Sequence, residues 1–179
     1  MSHRILNTLA GGTAIALVIA GSAAAAPDGF RESVRLTPIA RSLSVPEAKV
    51  YCALTPASWR DAHPGNERWA SIWSTTDGTT GVEDHIAYLA PWTCQPLELW
   101  KRGKVVKLAD VGKALLALGH ESVHLRGILD ERTAECTALK ELRSVARTHF
   151  GIKAVKTWRQ VWAGALASHA QALPEQRNC

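Results

Sequence analysis

The sequence is marked first by what it does not contain. None of its four cysteines forms a C-x-x-C pair, which excludes the usual cysteine zinc knuckles. No Gly-x-Ser-x-Gly elbow and no phosphate-binding loop occurs, so serine hydrolases and nucleotide binders have no support. Lysine and arginine form no long block and no basic run is interleaved with aromatics. The net charge of +5 therefore reads as a solvated basic surface, and no nucleic-acid partner is expected. Beyond the first 26 residues no stretch is long and apolar enough to span a bilayer, and there is no internal repeat. With 179 residues, 46% of them apolar and 21% charged, the chain has room for one domain with a core and hardly for two.

What is present begins with a targeting segment. Met1-Ser2-His3-Arg4 gives a short positive start, and residues 5–20 are an apolar run rich in alanine and glycine. Small residues from Gly21 to Ala26 follow. Because proline is poor just after a cut, cleavage is expected after Ala25 or Ala24. The expected organisation is a signal peptide over 1–25, an extended lead-in over 26–43 and a single domain over 44–179. The mature protein is expected to be secreted or otherwise extracytoplasmic, and monomeric, with no stable membrane span. Cys52, Cys94, Cys136 and Cys179 all lie in the mature part, and an even count in an exported chain points to two disulfides. Three pairings are open; Cys52–Cys94 with Cys136–Cys179 is the simplest non-crossing set.

Local patterns predict an α+β fold, with a small antiparallel sheet packed on helices. Ser44-Val45-Pro46-Glu47 reads as a capping box opening a short helix through Cys52 or Ala53. Thr55-Pro56 opens another, ending near His63. Trp69 to Thr75 and His85 to Leu89 read as two strands of an antiparallel hairpin, separated by the turn signals Asp77-Gly78 and Gly81. Pro91 stops the second strand. Five tryptophans between Trp59 and Trp100 are expected in the core. Three helices complete the reading. Val111, Leu115, Leu118, Ser122 and Leu125 mark a helix over 108–126. A second runs from Asp130 to Phe150, and a third from Ala154 to Leu173 with Val155, Trp158, Val161, Trp162, Leu166 and His169 near one stripe.

The chemistry is concentrated in His120-Glu121-Ser122-Val123-His124. Histidines four apart share one helix face, one turn apart, and two neutral imidazoles so placed can hold one divalent ion, usually zinc. Glu121 is turned from that face but can reach a metal-bound water without being a ligand. This is the HExxH pattern, and around residues 84–140 the chain resembles the zincin metallopeptidases. The resemblance implies Zn2+ held by His120 and His124, with Glu121 as catalytic base.

Three acids compete as third ligand. His120 to Asp130 spells HExxHxxGxxD, similar to small secreted snapalysin-like proteases with Asp130 as ligand. Glu131 and Glu135 instead resemble the gluzincin arrangement, in which one helical glutamate binds zinc and an acid one turn later orients a ligand histidine. Gly127 is placed to end the first helix and Asp130 to cap the second. Two helices joined so closely are expected to be antiparallel, and at ~1.5 Å of rise per residue Glu135 lies deeper along the second helix than Glu131. On this reasoning Glu135 is the preferred ligand, Glu131 a substitute or supporting residue, and Asp130 a cap.

His85 and Tyr88, on the second strand, are candidate stabilisers of an oxyanion. That strand is in the right order to lie beside the active helix and pair with a peptide. His149 and His169 read as solvated, and nothing sets Arg126 or Arg143 apart as substrate-binding. The expected activity is hydrolysis of peptide bonds in a peptide or protein substrate. The competing reading is a non-catalytic exported binding domain stabilised by metal or disulfides; a cell-wall amidase or carboxypeptidase would share the chemistry and differ in substrate.

Overall fold

The computed structural model describes residues 28–64, 70–72 and 85–179. The leader proposed for 1–25, together with Trp69 and Trp73, lies outside them. The fold is α+β. Strands β1 (Phe30–Glu32), β2 (Lys49–Ala53), β3 (Ala70–Ile72) and β4 (Ile86–Leu89) form one sheet in the order β1-β2-β4-β3. Six helices accompany it: α1 (Thr37–Leu43), α2 (Pro56–Ala62), α3 (Pro91–Lys101), α4 (Leu108–His124), α5 (Glu131–Phe150) and α6 (Val155–His169). A 3-10 turn over Pro174–Gln176 follows.

The hairpin of β3 on β4 is antiparallel, with Ser71 opposite Tyr88, but β2 runs parallel to β4. The sheet is therefore mixed and not wholly antiparallel. The reason is the connection: β2 reaches β4 through α2 and β3, a crossover that a parallel pair requires. The segment 49–53 is a strand, not the tail of a helix. Val50, Tyr51 and Cys52 suit a pleated surface, and pairing with β1 and β4 satisfies their backbone. Nor is the lead-in simply extended, since Phe30–Glu32 joins the sheet and α1 buries Ile39 and Ala40 in the core.

Both faces of the sheet are covered. Val50, Ala87 and Leu89 face a core made with α1, α3, α4, α5 and α6. Tyr51, Ile86 and Tyr88 face an aromatic cluster with Phe30 and Trp59. Burial on two faces explains why β4 reads Ile-Ala-Tyr-Leu without polar alternation. Trp59 and the half-buried Trp92 and Trp100 pack in or against the core, as expected of them.

Pro91 does stop β4, but it also starts α3, because proline fits a first helical turn whose N–H has no partner. The central element is α4. Val111, Leu115, Leu118, Ser122 and Leu125 are all buried, as the spacing predicts, and so are Gly112, Gly119, Glu121 and His124 on other sides. Helix α6 comes close enough that a Cβ on Gly112 would meet the Val161 carbonyl oxygen at 1.9 Å, and one on Gly164 would meet that of Ala109 at 2.0 Å. Its buried positions are Val161, Gly164 and Ala165, while Val155 and Leu166 are exposed. The stripe drawn from the large side chains is thus rotated toward the small ones that permit close approach.

Disulfides join Cys52 on β2 to Cys94 on α3, and Cys136 on α5 to Cys179 at the end of the chain. This is the non-crossing pairing. Among the described residues no helix is long and apolar enough to cross a membrane.

Candidate metal centre

His120 and His124 lie on the last turns of α4, and the chain then reverses into α5. Gly127, at φ +86°, adopts a left-handed conformation open to glycine. That reversal brings the Ile128 carbonyl back to His124, whose Nδ1 donates to it at 2.7 Å. Asp130 caps α5 by accepting from the Thr133 backbone N–H at 2.8 Å. Its carboxylate is thus engaged as a cap, and it does not belong to the group formed with the histidines. The helices are not simply antiparallel. If Glu135 lay opposite His120 in such a stack, Glu141 would sit ~18 Å along the axis from the level of Arg126. Yet Arg126 pairs with Glu141 at 3.1 Å, so α4 and α5 cross.

The crossing decides which acid meets which nitrogen. Nε2 of His120 and Nε2 of His124 converge to 2.9 Å. Glu131 reaches both rings with different oxygens, Oε2 at 3.2 Å from His120 Nε2 and Oε1 at 3.5 Å from His124 Nε2. His120, His124 and Glu131 each offer one ligand atom, all within 4.8 Å of one another, and could hold a metal ion. Glu135 lies on the far side of the His120 ring, accepting from Nδ1 at 3.0 Å. It is close to the pair, but not at the point where both Nε2 atoms converge. The preference for Glu135 over Glu131 as third donor is therefore reversed by the geometry.

The fit to a metal can be judged from these atoms. A tetrahedral zinc with bonds of ~2.0–2.1 Å spaces its ligand atoms ~3.3 Å apart. The Nε2–Nε2 distance of 2.9 Å and the Nε2–oxygen distances of 3.2 and 3.5 Å, these to the two different oxygens of Glu131, lie near that spacing. Both Nδ1 atoms are committed as donors, to Glu135 and to Ile128, which leaves both Nε2 atoms as the metal-facing nitrogens.

The metal-free electrostatics follow from the same contacts. Burial lowers the His120 pKa. Hydrogen bonds to Glu131 and Glu135, with the negative charge of Glu121, more than offset this and raise it to about 10. His124 is likewise raised, burial being outweighed by its bond to Glu131. Glu131 is held far below the usual carboxylate range, chiefly by its hydrogen bonds to the two histidines. Both rings are thereby held toward their protonated form. Glu121 is 5% exposed, and burial raises its pKa against the opposing pull of His120 and His124.

Two further residues belong to this cluster, His169, which the sequence reads as solvated, and Gln176, which no motif marks. His169, at the end of α6, donates Nδ1 to the second oxygen of Glu135 at 2.9 Å. Gln176, in the terminal turn, donates Nε2 to Glu131 at 2.7 Å. The available signal was Cys179: a disulfide to Cys136 must bring the last residues back beside Glu135.

His85 and Tyr88 are not brought to the pair. Tyr88 points to the other face of the sheet, where its ring lies 5.4 Å from Phe30 and 5.9 Å from Tyr51. His85 precedes β4 at φ +47° and accepts from the Lys49 N–H through its carbonyl. Arg126 is engaged with Glu141, and the Arg143 guanidinium lies 6.0 Å from the Trp158 ring. No protein-family model, curated protein or solved structure matches the chain.

Proposed function

We propose that the protein is an exported zinc-dependent peptide hydrolase of zincin type. The observation that carries the reading is the convergence of His120 Nε2, His124 Nε2 and a Glu131 oxygen beside the buried carboxylate of Glu121. His120, His124 and Glu131 would hold the ion, and Glu135 would fix the His120 ring. Glu131 and Glu135, one helical turn apart, then divide the two tasks of the gluzincin pattern. Two disulfides accord with an oxidising compartment outside the cytoplasm.

A zinc ion bound there would supply Lewis acidity, polarising the scissile carbonyl and acidifying water. Glu121 is the base: it accepts the proton of the attacking water and delivers it to the departing amine. Burial suits it to this work, because a carboxylate whose pKa is raised toward the working pH is a stronger base for the water proton and can still pass it on. The substrate backbone has a place to lie. Ile86–Leu89 is interior, paired on both sides, and cannot take a peptide. Among the described residues strand β3 is an edge of the sheet and its backbone approaches α4, so an extended peptide can add to it.

The test is Glu121→Gln, assayed for metal content and for cleavage of an unfolded protein. Zinc should be retained while hydrolysis falls about 100- to 10,000-fold. An unchanged rate rejects Glu121 as base. Bound zinc with no cleavage by the wild type favours a binding domain over an enzyme.

A further inference from the structure

We infer that Gln176 is a positioning residue for the third metal ligand, and that the Cys136–Cys179 disulfide is the tether that holds it there. The inference rests on the metal-site reading above and adds a part of the chain that the HExxH pattern does not contain.

Glu131 needs such help. Its side chain is about half exposed, on the first turn of α5, unlike the well-buried His124 and Glu135. A long carboxylate at that exposure samples several rotamers, and fixing one costs conformational entropy. Gln176 is 5% exposed and makes two directed bonds. Its Oε1 accepts from the Leu173 backbone N–H at 3.0 Å, closing the 3-10 turn. Its Nε2 donates to Glu131 Oε2 at 2.7 Å. The amide is thus oriented by the turn and spends its donor on the carboxylate. When one Glu131 oxygen binds a cation, the other keeps an acceptor site for this N–H, the usual support of a ligating carboxylate.

The turn packs against α5. It is three residues long and follows the end of α6. Cys179, three residues after Gln176, is bonded to Cys136, one residue after Glu135 on α5. The disulfide therefore anchors the turn to the helix that carries Glu131 and Glu135. The carbonyl of Gln176 also faces the Cys179 sulfur at 3.9 Å.

The experiment measures zinc affinity by chelator competition on the full mature chain. It also records the visible spectrum of the cobalt-substituted protein and the melting temperature of the metal-free form. Gln176→Ala and Gln176→Met should each weaken zinc about 10- to 100-fold and shift the cobalt bands, with metal-free melting nearly unchanged. Met keeps the side-chain length and lacks the donor, so it separates hydrogen bonding from packing. The double variant Cys136→Ser/Cys179→Ser should weaken zinc in the same direction. Wild-type affinity in both Gln176 variants overturns this inference and leaves the metal site standing, as does lost melting temperature with affinity intact. A wild type that binds no zinc overturns both.

Discussion

His120 links the two glutamates of the cluster to its second histidine. Its Nδ1 donates to Glu135, which also holds His169, while its Nε2 faces His124 and Glu131. The metal-free site therefore stores a proton that a cation must displace. The sign follows from the raised pKa. Below the ordinary value of 6.5 the group is protonated folded or unfolded and its stabilisation is fully present; this is lost as pH rises from there through about 10. The metal-free protein should thus lose stability over that window, in urea titrations at successive pH values. Zinc loading near pH 7.5 should release ~1 proton per ion, and apparent affinity should rise with pH. Calorimetry in buffers of different ionisation enthalpy counts the proton. Loading without proton release would mean that the rings are neutral and the cluster is not as closely coupled as its distances indicate.

At the level of elements, the site depends on how closely α6 and α5 approach α4. Gly112 and Gly164 permit the first approach, and Gly119, whose added Cβ would lie 3.4 Å from that of Ala138, the second. Gly112→Ala places a methyl against the backbone of Val161. It should cost about 1–3 kcal/mol, the usual penalty for overpacking a close contact, measured as a shift in urea midpoint. A neutral result would mean that the helices stand further apart. These elements were unequally legible in the sequence. The 108–126 helix, the Asp130 cap and the β3–β4 hairpin follow from spacing and turn residues. Strand β2 was obscured because Ser44-Val45-Pro46-Glu47 imitates a capping box, and its strand character comes from partners far along the chain. Which glutamate joins the two Nε2 atoms was obscured for a similar reason. Glu131 and Glu135 are both one short step from His120, and the crossing of α4 over α5 selects between them. His169 and Gln176 could be reached only through the disulfide at Cys179.

On the scale of the whole molecule, the two disulfides brace different parts. Cys52–Cys94 joins the sheet to α3, while Cys136–Cys179 closes the chain's end over the cluster of His120, His124 and Glu131. Each spans 42 or 43 residues, and a crosslink over such a loop contributes ~4 kcal/mol in the chain-entropy account. The sheet gives α4 a broad apolar bed and, among the described residues, leaves β3 as an edge near it, so the histidine cluster and that sheet edge are placed by one core. Everything said of function rests on a cation held where α4 meets α5. The direct measurement is equilibrium dialysis of the mature protein against buffered zinc, beside His120→Ala and Glu131→Ala. The account predicts one tightly held ion per wild-type chain, none in His120→Ala, and markedly weaker binding in Glu131→Ala. A wild type that stays metal-free, or a His120→Ala variant that binds equally well, would contradict it.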